Sequence, residues 1–205
     1  MVVIGITGPT GAGKTTALEV LKDLGGHIVD ADAVYHSLLR ESIPLRTDLE
    51  ARFGPLQDGQ GGIDRKKLGN VVFRDAGAME ALNAITGRYI PQAISREIRY
   101  AEENGYRAAA IDAIRLLEGD LSQLCDVTLA ILAPAEIRVR RIMAREGIPE
   151  DYAWARVNAQ QKDEFYIHGC EHVLYNDCGS AREFGDKARA LFEEILKQKS
   201  NTQFS

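Results

Sequence analysis

The hydrophobic positions of the chain follow two rhythms. Short apolar runs recur at "VVIGIT" (2–7), "HIVDAD" (27–32), "RAAAIDAI" (107–114), "VTLAIL" (127–132) and "HVLYN" (172–176). Brief apolar runs bounded by glycine or polar residues read as buried strands. Between them apolar residues recur at three- and four-residue spacing. Over 14–24, Leu18, Leu21 and Leu24 fall near one helix face, and Gly25 and Gly26 stop the pattern. Strands that alternate with helices predict a parallel sheet covered on both faces. The expected fold class is therefore α/β: a three-layer α/β/α sandwich with a five-stranded parallel sheet.

Two segments exceed what such a sheet needs. A parallel crossover requires a dozen or so residues, yet the second and third strands are much further apart. The segment reads as helices at 33–40, 45–53, 64–74, 75–86 and 91–104, interrupted by the loop "PLQDGQGGID". This predicts a helical lobe over about 33–104. A second insert, 134–165, reads as two helices, "PAEIRVRRIMAREG" and "PEDYAWARVNAQQKDEF", and is rich in arginine. It is expected to form a helical lid. The tail, 180–198, reads as one amphipathic helix, with "KSNTQFS" expected to fray. The whole chain, 1–205, then counts as one domain with two inserts.

Composition narrows the class without naming an activity. The chain has 205 residues, 45% of them hydrophobic, and a net charge of −5 with acids and bases intermixed. That is enough apolar material for a full core and lacks the basic face of a nucleic-acid coat. The three cysteines, Cys125, Cys170 and Cys178, show neither an even count nor a CxxC spacing, so they read as thiols of a reducing compartment. No transmembrane run is present, and "MVVIGI" is too short for a signal peptide. The expected location is the cytoplasm, with no nucleic-acid or membrane partner and a monomer or weak homo-oligomer as the state.

The clearest chemistry lies in "GPTGAGKT", residues 8–15, which match G-x-x-x-x-G-K-[ST]. Gly8, Gly11 and Gly13 allow a backbone wrap whose N–H groups face a phosphate. The helix starting near Lys14 adds its positive end. Lys14 is suited to the β- and γ-phosphates of ATP, and the Thr15 hydroxyl to Mg²⁺. Pro9, Thr10, Ala12 and Thr16 complete the expected nucleotide-binding set. The guanine-reading N-K-x-D loop of a GTPase is missing, and the chain is short for a motor. A small-molecule kinase is the reading that remains.

Carboxylates and arginines extend it. Asp30 and Asp32 close the second apolar run, at the carboxyl end where open α/β sheets bind ligands. Asp32 is the candidate general base for an acceptor hydroxyl; its alternative role is to cap the next helix. Asp112, at the carboxyl end of the third strand, is a candidate for holding Mg²⁺ through water at the acceptor side, with a capping role as the alternative. In "EIRVRRIMARE", Arg138, Arg141 and Arg145 share one helix face. Lid arginines can stabilise a transferring phosphoryl group, and Arg141 and Arg145 are preferred to Arg138.

The segments "GITGPTGAGKTT", "IVDADAVYH", "RFG…IDRKKLGNVVF", "LNAIT", "RIMAREG" and "NAQ…HVLYND" resemble, in order, those of dephospho-CoA kinases. The resemblance spans nearly the whole chain, and "DADAVYH" and "IDRKKL" are more specific than the phosphate loop. It implies transfer from ATP to the ribose 3′-hydroxyl of dephospho-CoA, the last step of coenzyme A synthesis, with Mg²⁺ as cofactor. It implies that Asp32 is the base and that Lys14, Thr15, Arg141 and Arg145 serve ATP. It also implies that Asn176 lies near the adenine, that His36 belongs to the acceptor side, and that the lobe closes over the CoA end. Two stretches differ from the family pattern. Gly87 and Arg88 replace a His-Pro pair, leaving Arg88 to supply a substrate contact. In "DAIRLLE", Ile114 replaces a proline and Arg115 follows. Two alternatives stand beside this reading: another small-molecule kinase with the same phosphate loop, for a nucleoside monophosphate or a small alcohol, or a nucleotide-binding sensor that has lost transfer.

Overall fold

The computed structural model describes residues 1–202, with side chains through 198. Its elements run β1 (Val2–Thr7), α1 (Lys14–Asp23), β2 (Gly26–Asp30), α2 (Ala31–Glu41), α3 (Ile43–Phe53), α4 (Arg65–Val72) and α5 (Ala76–Glu103). There follow β3 (Ala108–Asp112), a 3₁₀ turn (Asp120–Leu124), β4 (Val127–Leu132), α6 (Ala135–Glu146), α7 (Glu150–Asn158), α8 (Asp163–Gly169), β5 (His172–Tyr175) and α9 (Ala181–Thr202). The tail helix thus includes 199–202, while 203–205 lie outside the described residues. Among the described residues no helix is long and apolar enough to cross a membrane.

The five strands form one parallel sheet in the order β2-β3-β1-β4-β5, within a three-layer α/β fold. In register, Ile6 pairs with Asp112 of β3 and with Leu129 of β4. Every residue of β1 and β4 is buried. Both faces are covered, which is why these strands read as unbroken apolar runs. Alternate side chains divide between the faces. Ile4, Ile6, Leu129 and Ile131 pack with Leu21 of α1 and with Phe184 and Phe192 of α9. Ala130 and Leu132 meet Tyr166 of α8 on the other face. A Cβ on Gly5 would lie 2.6 Å from Cys125 Sγ and 2.8 Å from Leu116 Cδ2, so both side chains would have to move aside.

The chain divides into two compact units. One contains Met1–Val29 and the chain from Ile98 onward, hence nearly all of the sheet. Within it α6 and α7 pair through a small core of their own: Val139, Ile142, Ala153 and Val157. The other is Asp30–Glu97. Its core joins Leu39, Leu45, Leu49, Leu56, Ile63, Leu68, Val72 and Ile85. Its helices begin at capping side chains: Ser42 accepts from Leu45 N, and Asp64 accepts from Lys66 N and Lys67 N.

Three boundaries differ from the sequence expectation. The helices expected at 75–86 and 91–104 are one 28-residue helix with Pro91 inside it. An interior proline costs about 3 kcal/mol, and burial of Ile85 and Ile94 on either side of it counteracts a break. The single helix expected over 149–165 is two, α7 and α8, because residues 159–162 leave the helix. The strand expected to reach Asp32 ends at Asp30, which caps α2 instead.

Phe192 is fully buried against α1 and the sheet. Phe192→Ala should lower the unfolding free energy by about 3–5 kcal/mol, measured by urea denaturation at unchanged slope. A loss below about 1 kcal/mol would contradict this packing.

Candidate active site

Residues 8–13 leave β1 and curl into α1. Gly8, Gly11 and Gly13 all take positive φ, at 137°, 82° and 111°, where other residues are strained. Space excludes a side chain as well. A Cβ on Gly8 would strike the Ile131 carbonyl, one on Gly11 would lie 2.9 Å from the Arg138 carbonyl, and one on Gly13 would strike the Asn176 amide.

Each carbonyl from Gly8 to Ala12 meets a donor. Lys14 Nζ donates to Gly8 O at 2.8 Å, and Ala12 N to Pro9 O at 3.2 Å. Arg138 Nε donates to Thr10 O at 3.0 Å. Arg141 Nη1 donates to Gly11 O at 3.1 Å and to Ala12 O at 3.3 Å, and Asn176 Nδ2 to Ala12 O at 2.8 Å. Arg141 Nη2 also donates to Asn176 Oδ1 at 3.1 Å. Carbonyls held from one side turn the amides they alternate with toward the other. Among the described residues the amides of Gly11 and Gly13 meet no acceptor, and the first-turn amides of Thr15 and Thr16 have no helical carbonyl ahead of them. These are donors suited to an anion at a helix N-terminus.

The arginines are arranged differently from the expectation. Arg138, ranked last by sequence, is buried against the loop, while Arg141 holds loop carbonyls and Asn176 rather than standing open toward a phosphate. Burial lowers the affinity of both guanidiniums for their proton, though they remain cations. Arg145 pairs with Glu146 at 2.7 Å, and Arg156 pairs with the same carboxylate. The Arg145 hydrogen bond and the charges of both arginines hold Glu146 below the usual carboxylate range. Asn176 is 3% exposed and fixed at both ends, its own amide donating to Leu132 O at 2.7 Å.

Thr15 is exposed and Thr16 half-buried on the first turn of α1. Asp112 ends β3 opposite Ile6, so it emerges beside the start of the loop. The turn after it is tied by Thr7 Oγ1, which donates to Ile114 O at 3.1 Å. That bond fixes the turn at Ile114, where the sequence offers no proline. Sequence reasoning assigned no role to Thr7 or to Gln160. Gln160 lies in the break between α7 and α8, and its Oε1 accepts from Thr10 N at 2.8 Å. Its place in the segment "NAQ" was the signal available.

In the lobe, Asp30 Oδ1 accepts from Asp32 N at 2.9 Å and Ala33 N at 3.0 Å. Asp30 is therefore the cap, and the Asp32 carboxylate is left exposed on the first turn of α2. His36 follows one turn later, on the same face. Its Nδ1 is buried and meets no hydrogen-bond partner among the described residues. Arg88 pairs with Asp48 at 3.1 Å, and Tyr89 donates to the same carboxylate at 2.7 Å. The charge that Arg88 was expected to bring to a substrate is thus shared with Asp48. Gly87 faces open space.

Residues 2–182 match the family model described as dephospho-CoA kinase. The chain belongs to the dephospho-CoA kinase family. The dephospho-CoA kinase of Dehalococcoides mccartyi is 35% identical over 87% of this chain and 90% of its own length. That of Moorella thermoacetica is 35% identical over 96% and 93%. The solved dephospho-CoA kinase of Campylobacter jejuni superposes with a TM-score of 0.71 at 25% identity, covering 96% of this chain and 98% of the other. Membership makes the chain a kinase with ATP as substrate.

The thiols are unsuited to nucleophilic work. Burial first, then Asp126, pushes Cys125 up to about 12, and burial pushes Cys170 up to about 11, so neither is a thiolate at neutral pH. Cys178 is buried. An Ellman titration at pH 7.5 should label the native protein at least tenfold more slowly than the unfolded chain. Equal rates would contradict this placement.

Proposed function

We propose that this chain transfers the γ-phosphoryl group of ATP to the ribose 3′-hydroxyl of dephospho-CoA, giving coenzyme A and ADP. The observation that carries the acceptor chemistry is the division of labour between the two aspartates. Asp30 spends its carboxylate on the cap, and Asp32 keeps its own exposed. Asp32 then accepts the proton of the hydroxyl as its oxygen bonds the γ-phosphorus, while the bond from that phosphorus to the β–γ bridging oxygen breaks. ADP leaves with the electron pair. The transition state is loose, so positioning and charge supply most of the acceleration.

On the donor side, the amides of Gly11 and Gly13 and the first turn of α1 receive phosphate oxygens, and Lys14 adds its charge. Arg141 and Asn176 contribute by fixing the loop from behind. Arg145 reaches the phosphates by exchanging Glu146 for them. The oxygen ligands Mg²⁺ takes are offered by the Thr15 hydroxyl and the Asp112 carboxylate. Among the described residues no group of three or more His, Cys, Asp or Glu could hold a metal, so these two residues suit an ion held largely by nucleotide phosphates and water. When bound, Mg²⁺ supplies charge neutralisation for the transferring group. In the lobe, the buried His36 Nδ1 is available for a hydrogen bond from or to the acceptor. The free cysteines suit a cytoplasmic location.

ADP release from ATP and Mg²⁺ should require dephospho-CoA and not occur with AMP, CMP or shikimate. Asp32→Asn should reduce turnover at least a hundredfold and leave ATP affinity nearly intact by calorimetry. Unchanged turnover would refute Asp32 as base. Lys14→Ala should weaken ATP binding and turnover together. Tight ATP binding by the wild type without turnover on any acceptor would instead favour a sensor.

A further inference from the structure

The tip of the phosphate loop is gripped by the glutamine of "NAQ", a residue to which the sequence pattern gives no role. Gln160 Oε1 accepts from the Thr10 amide at 2.8 Å and from Arg138 Nη2 at 2.9 Å. Arg138 Nε returns to the Thr10 carbonyl at 3.0 Å. The two polar groups of one loop peptide residue are therefore both held from the α6–α7 hairpin. Arg138 stands on α6, and Gln160 follows the end of α7. The hairpin between them is packed through Val139, Ile142, Ala153 and Val157, so one shared core backs both grips.

The chemistry of the grip is selective. An oxygen with two lone pairs is needed to accept from an amide and a guanidinium together. Bonds to a charged guanidinium are stronger than neutral ones, and Arg138 is only 5% exposed, so water competes poorly there. Pinning the Thr10 amide to Gln160 takes that donor out of the phosphate-facing set. It leaves the amides of Gly11 and Gly13 as the ones presented. Loss of Gln160 would release the Thr10 peptide and leave a buried arginine short of an acceptor.

We propose that Gln160 is a positioning residue for ATP: with Arg138 it sets the loop peptide at Thr10 and so couples the α6–α7 hairpin to the phosphate-binding conformation. The inference rests on the loop being the ATP site, and it does not depend on which acceptor is phosphorylated.

The test compares the wild type with Gln160→Met, which keeps the length but has no oxygen, and Gln160→Glu, which keeps both acceptor contacts. ADP affinity is read by calorimetry well below the melting temperature, and KM is read separately for ATP and dephospho-CoA. Gln160→Met should weaken ADP binding and raise KM for ATP about tenfold, the equivalent of one charged hydrogen bond. KM for dephospho-CoA should change less than twofold. Gln160→Glu should recover most of the loss. Equal ADP affinity in Met variant and wild type, or Met and Glu variants that behave alike, would overturn the assignment. So would parallel increases in both KM values, the mark of a merely structural role. If the wild type itself bound no ADP, the nucleotide reading would fail rather than this one.

Discussion

The arrangement depends on one constraint: a backbone loop can aim its amides at a phosphate only if its carbonyls are satisfied elsewhere. Each peptide group carries both, and a buried carbonyl without a donor costs about as much as a lost hydrogen bond. Here Lys14, the Ala12 amide, Arg138, Arg141 and Asn176 supply the donors for Gly8 through Ala12. Two of these are buried or half-buried guanidiniums, which also place positive charge behind the loop. The glycines are the complementary requirement. Gly8, Gly11 and Gly13 sit where the backbone presses on Ile131, Arg138 and Asn176, so the loop fits its scaffold without room for a side chain.

This constraint explains why so much of the first unit converges on a short loop. β1 brings the chain to it, and β4 abuts Gly8 through Ile131. β5 ends just before Asn176, and α6 supplies both arginines. The packing of α1 and α9 against the sheet fixes the position of the helix whose first turn completes the cradle. The lobe meets a different need. Its own core packs Leu39 and Tyr35 of α2, the helix that carries Asp32 and His36 on one face. With Asp30 supplying the cap, the neighbouring Asp32 carboxylate stays exposed.

The strands were legible because burial on both faces leaves an apolar run that no polar rhythm interrupts, as in "VVIGIT" and "VTLAIL". The loop was legible because its glycines answer a backbone demand that few other sequences share. Helix continuity was less legible. Gly87 and Pro91 signal a stop, yet apolar residues on both sides of them are buried in a single α5. The division of α7 from α8 escaped notice for the opposite reason, since residues 159–162 carry no glycine or proline to mark it. Arginine roles were legible only in part. Spacing shows that Arg138, Arg141 and Arg145 share a face, but it does not show which backbone carbonyls that face meets. The same limit hid Gln160, whose partners are about 20 and 150 positions away in sequence.

The proposed transfer places one phosphoryl group on one hydroxyl of dephospho-CoA. The most direct measurement is the position of the transferred phosphate, read by mass and by phosphorus–proton coupling in the product formed from ATP and dephospho-CoA. Transfer to the ribose 3′-hydroxyl should give a single product with the mass of coenzyme A and a phosphate monoester coupled to the ribose 3′ proton. A phosphate at another hydroxyl, or ATP hydrolysed with dephospho-CoA unchanged, would contradict it.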